Sequence, residues 1–285
     1  MKINQISPLD NNFTQIIDVI ALVPKKLYYY GFLPEKRTPT VAVVGSRKPT
    51  RYGTEVTTRI VEDLARRGVI VVSGMALGID AIAHRAAIDA GGTTIAVQGN
   101  GLAELYPKTN RQLGEDIVKS GGAIISEYEP NTPPMKHRFL ERNRLVAGLS
   151  DAVLVPEATD RSGSLNTVMH ALEQNKEVFV VPGNITSPMS AGCNSLIKQG
   201  AHIATCAEDI LEIIAPDLLQ PQTSLALGDN PVQTKIIQLL QEGLRDGDEI
   251  RQRVDVDASE FSTQLTIMEI SGQIRALGAN QWTLR

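Results

Sequence analysis

The sequence is short of net positive charge, cysteine, aromatic residues and long apolar runs, and each shortage excludes something. Across 285 residues the formal net charge is −4. No chain-wide positive field draws the protein to a polyanion, so any nucleic-acid affinity must come from local clustering of cations. Its two cysteines, Cys193 and Cys206, have neither zinc-ligand nor redox-pair spacing, and they read as reduced thiols of a cytoplasmic protein. No apolar run approaches the ~20 residues of a bilayer-crossing helix, and the first residues show no charged-then-apolar targeting pattern. The chain is therefore expected to be soluble and cytoplasmic, with no membrane partner. No GxSxG, HExxH, Walker lysine or paired metal ligand is present, so neither a hydrolase nor a metal or other cofactor has a signature here.

What the chain does have is a buried strand running into a glycine, a hydroxyl and cations. Val41-Ala42-Val43-Val44, preceded by Pro39, reads as a strand covered on both faces, as in a parallel sheet. The chain turns at Gly45, and Pro49 with Tyr52-Gly53-Thr54 opens an amphipathic pattern through Arg67. Ser46, Arg47 and Lys48 then lie on a strand-to-helix loop at the carboxyl edge of a sheet. Ligands bind at that edge in open α/β folds, and the amides of the following helix start favour anions. GxGxxG is not formed, because Arg47 and Lys48 stand where a dinucleotide site needs small residues.

Apolar strands recur at 41–44, 69–72, 94–97, 123–125, 152–155 and 178–181, with helical patterns between most of them. The alternation predicts an α/β fold, a doubly wound parallel sheet. The loops after the strands, among them Ser73-Gly74-Met75, Gln98-Gly99-Asn100 and Pro182-Gly183-Asn184, are rich in glycine and small polar residues, which lets a ligand approach the backbone. Arg161-Ser162-Gly163-Ser164 precedes a helix through Glu173 and offers a second anion-accepting helix start.

Either side of this domain the pattern changes. Residues 1–38 read as a short amino-terminal helical segment, with apolar spacing over 13–22, followed by Leu27-Tyr28-Tyr29-Tyr30, which either stacks bases or packs back onto the main domain, spanning 39–215. The stretch 216–230 loses periodicity and reads as a linker. Residues 231–285 hold helical patterns over 232–244 and 261–277 and then a glycine turn with a short β wing, the order of a small winged-helix module. It has six cations against eight acids, a balance that suits a protein contact or a structural role better than phosphate.

The densest basic run is Lys136-His137-Arg138-Phe139-Leu140-Glu141-Arg142-Asn143-Arg144. A solvated helix start explains it without function. Set on the same sheet edge as Arg47, it would instead offer cations to phosphates and Phe139 to an unpaired base. Glu127, Glu157, Asp80 and His84 are the acid–base groups an enzyme would use. Asp80 also reads as a helix-start cap, and His84 as a packed helix residue.

The ordered motifs VAVVGSRKPTRYG (41–53), SGMALGIDAIAH (73–84), QGNGLAELYP (98–107), ISEYEP (125–130), RFLERNRLVAGLS (138–150), EATDRSGSLNT (157–167) and VFVVPGNI (178–185) resemble the DNA-processing protein A family, DprA/Smf. LTIMEISGQI (265–274) is similar to that family's carboxyl-terminal winged helix. The resemblance implies an extended Rossmann-like domain that binds single-stranded DNA as a homodimer. It also implies protection of incoming DNA in natural transformation and assistance in loading the RecA recombinase. It assigns a pocket to Ser46 and Arg47, with Lys48 beside them, and to Gly74, Lys136, Phe139, Arg142, Asn143, Gly163 and Ser164. Arg47, Lys136 and Arg142 would hold phosphates, Phe139 would stack a base, and the glycine and serine loops would donate to phosphate oxygens. Leu140 stands where the family has proline. Two other readings stay open: a nucleoside-monophosphate phosphoribohydrolase-like enzyme, whose PGGxGTxxE signature 162–173 resembles without the paired glycines, and an interaction scaffold whose pocket has lost its ligand.

Overall fold

Strands made of valine, isoleucine and alanine, too apolar for either face to meet water, build one sheet. The computed structural model describes residues 2–219, 230–278 and 280–284, in two units divided after Leu219. In the first unit the chain runs β1 (Asn4–Ile6), β2 (Leu27–Gly31), β3 (Thr40–Val43), α1 (Arg51–Arg66), β4 (Ile70–Ser73), α2 (Ile79–Asp89), β5 (Thr94–Gln98) and α3 (Arg111–Lys119). It continues through β6 (Ala123–Ser126), α4 (Lys136–Gly148), β7 (Ala152–Val155), α5 (Ser164–Glu173), β8 (Glu177–Val180), α6 (Ala191–Lys198), β9 (His202–Ile203) and α7 (Ala207–Ile214). The sheet order is β1-β2-β6-β5-β4-β3-β7-β8-β9. All neighbours from β6 to β9 are parallel, and β1 and β2 are antiparallel.

Side chains alternate across the sheet, so each face receives its own core. Ala42, Val44 and Val72 pack with Leu145 of α4, Val168 of α5 and Leu196 of α6. Val41, Val43 and Val71 pack with Ile60 of α1, Ile79 of α2 and Ile210 of α7. The result is the expected three-layer α/β architecture. Among the described residues no helix is long and apolar enough to cross a membrane.

The amino-terminal segment departs from the expected helix. Where 13–22 predicts helical turns, the structure has a 3-10 segment, Gln15–Val19, after a shorter one at Pro8–Asp10. Asn11 caps the amides of Phe13 and Thr14, and the Thr14 hydroxyl donates to Pro8 O at 2.7 Å. A run this short, dense in β-branched Ile16, Ile17, Val19 and Ile20, gains little from an α-helix. It is pinned instead by burying Phe13, Ile17 and Ile20 in the core. The tyrosine cluster is β2, paired with β6 in the register Tyr28↔Ser126 to Gly31↔Ala123, so it packs back onto the sheet.

The second unit holds α8 (Pro231–Gln241), α9 (Gly247–Val254), α10 (Ala258–Ile270) and the hairpin β10 (Ile274–Gly278) and β11 (Gln281–Leu284). Its core gathers Ile236, Leu240, Ile250, Phe261, Leu265 and Met268. The helix expected through 277 stops at Ile270, because Ser271 and Gly272, the latter at φ 76°, end it and Ile274 already begins the wing. Most of the linker expected at 216–230 lies outside the described residues; its first four, Pro216–Leu219, form a 3-10 turn.

Candidate nucleic-acid interface

The chain steps from β3 outward to β6 and then returns to β7 on the other side of β3. Loops leaving β3 and β7 therefore part in opposite directions, which opens a crevice at the carboxyl edge. The crevice is tied at its root: Ser46 N donates to Glu157 O at 2.8 Å, and Ile79 N donates to Ser46 O at 3.0 Å. Gly78, at φ 80°, lies so close to Ser46 O and the Arg47 backbone that a Cβ there would collide with both. Ser46 is 9% exposed and its Oγ accepts from Lys48 N at 3.1 Å, which folds the loop so that Arg47 and Lys48 face solvent.

The start of α1, expected to favour an external anion, already has one. Glu157, 2% exposed, accepts from Thr50 N at 2.8 Å and from the Thr50 hydroxyl at 2.6 Å. A Cβ at Gly53 would stand 2.6 Å from its Oε2. A carboxylate seated at the positive end of a helix satisfies the free amides there. The start of α5 remains open: Gly163 is exposed with nothing near its Cβ position, and Ser162 Oγ lies 2.6 Å from Ser164 Oγ.

The basic run opens α4, and its cations divide sharply. Arg144 is held by Glu127 in a two-pronged pair at 2.7 and 2.6 Å. Arg138 donates to Pro133 O at 2.6 Å and lies 5.2 Å over the Tyr128 ring. Arg142, expected at a phosphate, is 5% exposed and donates to Gly74 O at 2.9 Å and to Val97 O. Lys136 and His137 stay exposed and, among the described residues, have no carboxylate partner, as is also true of Arg47 and Lys48. Because α4 has no acid in its first turn, Lys136 sits uncompensated at the positive end of that helix, a placement an anion relieves.

Arg142 is what joins the two places. Burial lowers its pKa to about 10, with Asp80 raising it and the neighbouring positive charge of Arg47 lowering it further. It stays a cation at neutral pH, and Arg47 is close enough to feel it. Gly74 is needed under it, since a Cβ there would be 2.6 Å from Arg142 Nη2 and 2.7 Å from Asp80 Oδ2. Asp80 accepts from Gly74 N at 3.1 Å and Ala76 N at 3.3 Å, and burial raises its carboxyl above the usual range despite Arg142. Next along α4, Asn143 donates to Asn166 Oδ1 at 3.1 Å, which ties α4 to the first turn of α5. Phe139 is not a lone aromatic: Tyr106, which the sequence reading passed over, stacks on it at 5.3 Å. Its place in the loop after β5, on the same edge, was the available signal.

His84 is a packed residue, as one of its two sequence readings had it. Thr94 donates its hydroxyl to Val71 O at 2.8 Å, so His84 Nδ1 carries the proton shared with Thr94 Oγ1 at 2.6 Å, and Nε2 has no partner among the described residues. Burial, reinforced by Arg142, lowers its pKa to about 3 from the ordinary 6.5. A lowered histidine pKa means that unfolding takes up a proton, so the contribution to stability is whole above pH 6.5 and is lost as pH falls toward 3. Stability should decline by up to ~1.4 kcal/mol per pH unit on this account. Urea melts between pH 7 and 4.5 should show that slope reduced in His84→Gln; an unchanged slope would assign acid sensitivity elsewhere.

In the second unit, α10 is the third helix of the winged fold, and it has no lysine or arginine. Its exposed residues include Glu260, Glu269, Ile267 and Ile270, a poor match to a phosphate backbone.

A family model described as DNA recombination-mediator protein A matches residues 4–215, and a DprA winged helix domain model matches 220–280. Protein Smf of Escherichia coli (strain K12) is 40% identical over 275 residues, which is 92% of this chain and 72% of that protein. DNA processing protein DprA of Streptococcus pneumoniae is 41% identical over 210 residues, 74% of each. The solved structure of the Streptococcus pneumoniae DNA processing protein A aligns with TM-score 0.67 at 38% identity, covering 75% of each chain. That of DNA processing protein A from Helicobacter pylori, described for its single-stranded DNA binding mode, aligns with TM-score 0.66 at 32% identity, covering 76% of this chain and 97% of that one. With both units matched and the identity spread over most of the sequence, the chain belongs to the DNA recombination-mediator protein A family.

Proposed function

We propose that the protein binds single-stranded DNA across the crevice between the β3 and β7 loops and the start of α4. The observation that carries this is the set of exposed cations without carboxylate partners among the described residues, Arg47, Lys48 and Lys136, with Arg47 near the buried charge of Arg142. Arg47, Lys48 and Lys136 take phosphates. Gly163 and Ser164 at the open start of α5 offer amide and hydroxyl donors to a further phosphate oxygen. Ser46 and Gly74 shape the loops, Asn143 holds α5 in place, Arg142 braces the β4 and β5 ends from beneath, and the Phe139 region receives a base. The relative from Helicobacter pylori, described as binding single-stranded DNA, supports the reading.

The three carboxylates an enzyme would draw on here are engaged: Asp80 by loop amides, Glu157 by Thr50 and Glu127 by Arg144. Bond cleavage requires a group free to move a proton, which favours a binding protein over the phosphoribohydrolase alternative. The bound strand is protected and passed to the RecA recombinase, as the family's description as a recombination mediator suggests. Two copies of the chain act together as a homodimer, and the cation-free α10 turns to protein rather than DNA.

Fluorescence anisotropy with labelled oligodeoxythymidylate and a matched duplex tests the core of this. Binding should be tighter to the unpaired strand and should weaken with salt, with a log–log slope of about −2 if three phosphates are neutralised at ~0.7 each. Equal affinity for both forms, or no dependence on salt, would overturn it. AMP cleavage without DNA affinity would favour the enzyme.

A further inference from the structure

Phe139 lies on the first turn of α4, three residues and so about one turn after Lys136, on the same helix face. Its ring is hemmed in. Tyr106 covers it with planes 29° apart, and the Gly99 backbone closes on it so tightly that a Cβ there would stand 2.7 Å from Phe139 Cδ1. The residue is only partly exposed. Tyr106 is the outer member of the stack: it is 40% exposed, and its hydroxyl makes no hydrogen bond among the described residues. The loop bearing it is anchored from within, by Tyr106 N donating to Gln98 Oε1 at 3.3 Å and by Asn100 Nδ2 donating to Glu104 O at 2.8 Å. An exposed ring, backed by a second ring and held on an anchored loop, is what an unstacked base requires, and a base inside a duplex has no free face to give it.

We propose that Tyr106 is the base-stacking residue of this interface, with Phe139 behind it as the ring that positions it. This rests on the reading that the crevice binds single-stranded DNA. A nucleotide with its phosphate at Lys136 lays its base on Tyr106, and the contact is indifferent to which base it is, because every base has a π face.

The test compares oligodeoxythymidylate with an oligomer of equal length built from abasic residues, so that the phosphates are the same and only the bases differ. Wild-type protein should prefer the strand with bases. Tyr106→Ala should weaken that strand by roughly 5- to 100-fold, the range expected for one lost stacked base. It should leave the abasic strand and the salt slope unchanged. Tyr106→Phe should restore the preference, which a role of the hydroxyl alone would not allow. Since Tyr106→Ala risks disturbing its loop, a second readout uses the unaltered protein: photocrosslinking to 5-iododeoxyuridine should map to 98–107. Crosslinks confined to α4, or a preference that survives Tyr106→Ala but is lost in Phe139→Ala, would overturn the proposal while leaving the crevice as the binding site. Failure of the wild type to bind either strand would instead remove the crevice reading itself.

Discussion

Arg47→Ala should weaken binding to oligodeoxythymidylate by about 10- to 100-fold, the range expected for a charge-assisted contact of ~1.5–3 kcal/mol, and leave the unfolding midpoint unchanged. The side chain is exposed and has no ion-pair partner among the described residues, so the folded protein gives up no contact with it. The loop under it is held by others, through Ser46 and Gly78. What is lost is a fork of exposed donors near the buried Arg142 guanidinium. Lys48→Ala should cost less, being a point charge on a flexible stem, and Arg47→Lys should not fully rescue. Equal affinity of wild type and Arg47→Ala, measured by anisotropy at low salt, would detach the β3 loop from DNA binding.

Arg142→Ala acts on stability rather than on contact, and its effect should be larger. The guanidinium is buried, satisfies Gly74 O and Val97 O, and is the nearest opposite charge to buried Asp80. Removing it leaves two carbonyls without their donor, takes the compensating charge away from Asp80 and opens a hole between β4, β5 and α4, a loss of about 3–5 kcal/mol at neutral pH. The pH dependence has a definite sign. Asp80 already titrates above its ordinary value, so its ionised form is the one that burial penalises, and losing Arg142 deepens that penalty. Acid removes it by protonating the carboxyl. The gap between wild type and variant in urea denaturation should therefore narrow from pH 8 to pH 5, whereas a constant gap would mean that Asp80 plays no part.

The central sheet was legible because its strands are covered on both faces, and doubly covered strands spell themselves as uninterrupted Val, Ile and Ala. β2 was not, since nothing near Leu27-Tyr28-Tyr29-Tyr30 indicates pairing with Ala123–Ser126, almost a hundred positions later. α9 was missed because Gly247–Val254 has only Ile250 and Val254 as apolar positions among charges; its sign is the Asp246 cap, accepting from Asp248 N and Glu249 N at 3.0 Å. The cations of the site were visible one by one. Their cancellation was not: that Glu127 neutralises Arg144, that Glu157 fills the start of α1 and that Arg142 turns inward are all long-range pairings, fixed only by how the layers close. Tyr106 escaped for the same reason, as its partner Phe139 is a neighbour only across the sheet edge.

The outermost strands of the large sheet are its shortest, β1 with three residues and β9 with two. Such stubs leave few unpaired backbone groups for another molecule to extend. A cut at residue 38, where the composition invites one, would strip away β1 and β2 and bare the flank of β6, Ala123-Ile124-Ile125-Ser126. What looks like a dispensable leader thus covers an apolar strand edge that, once bared, would offer its backbone to other chains.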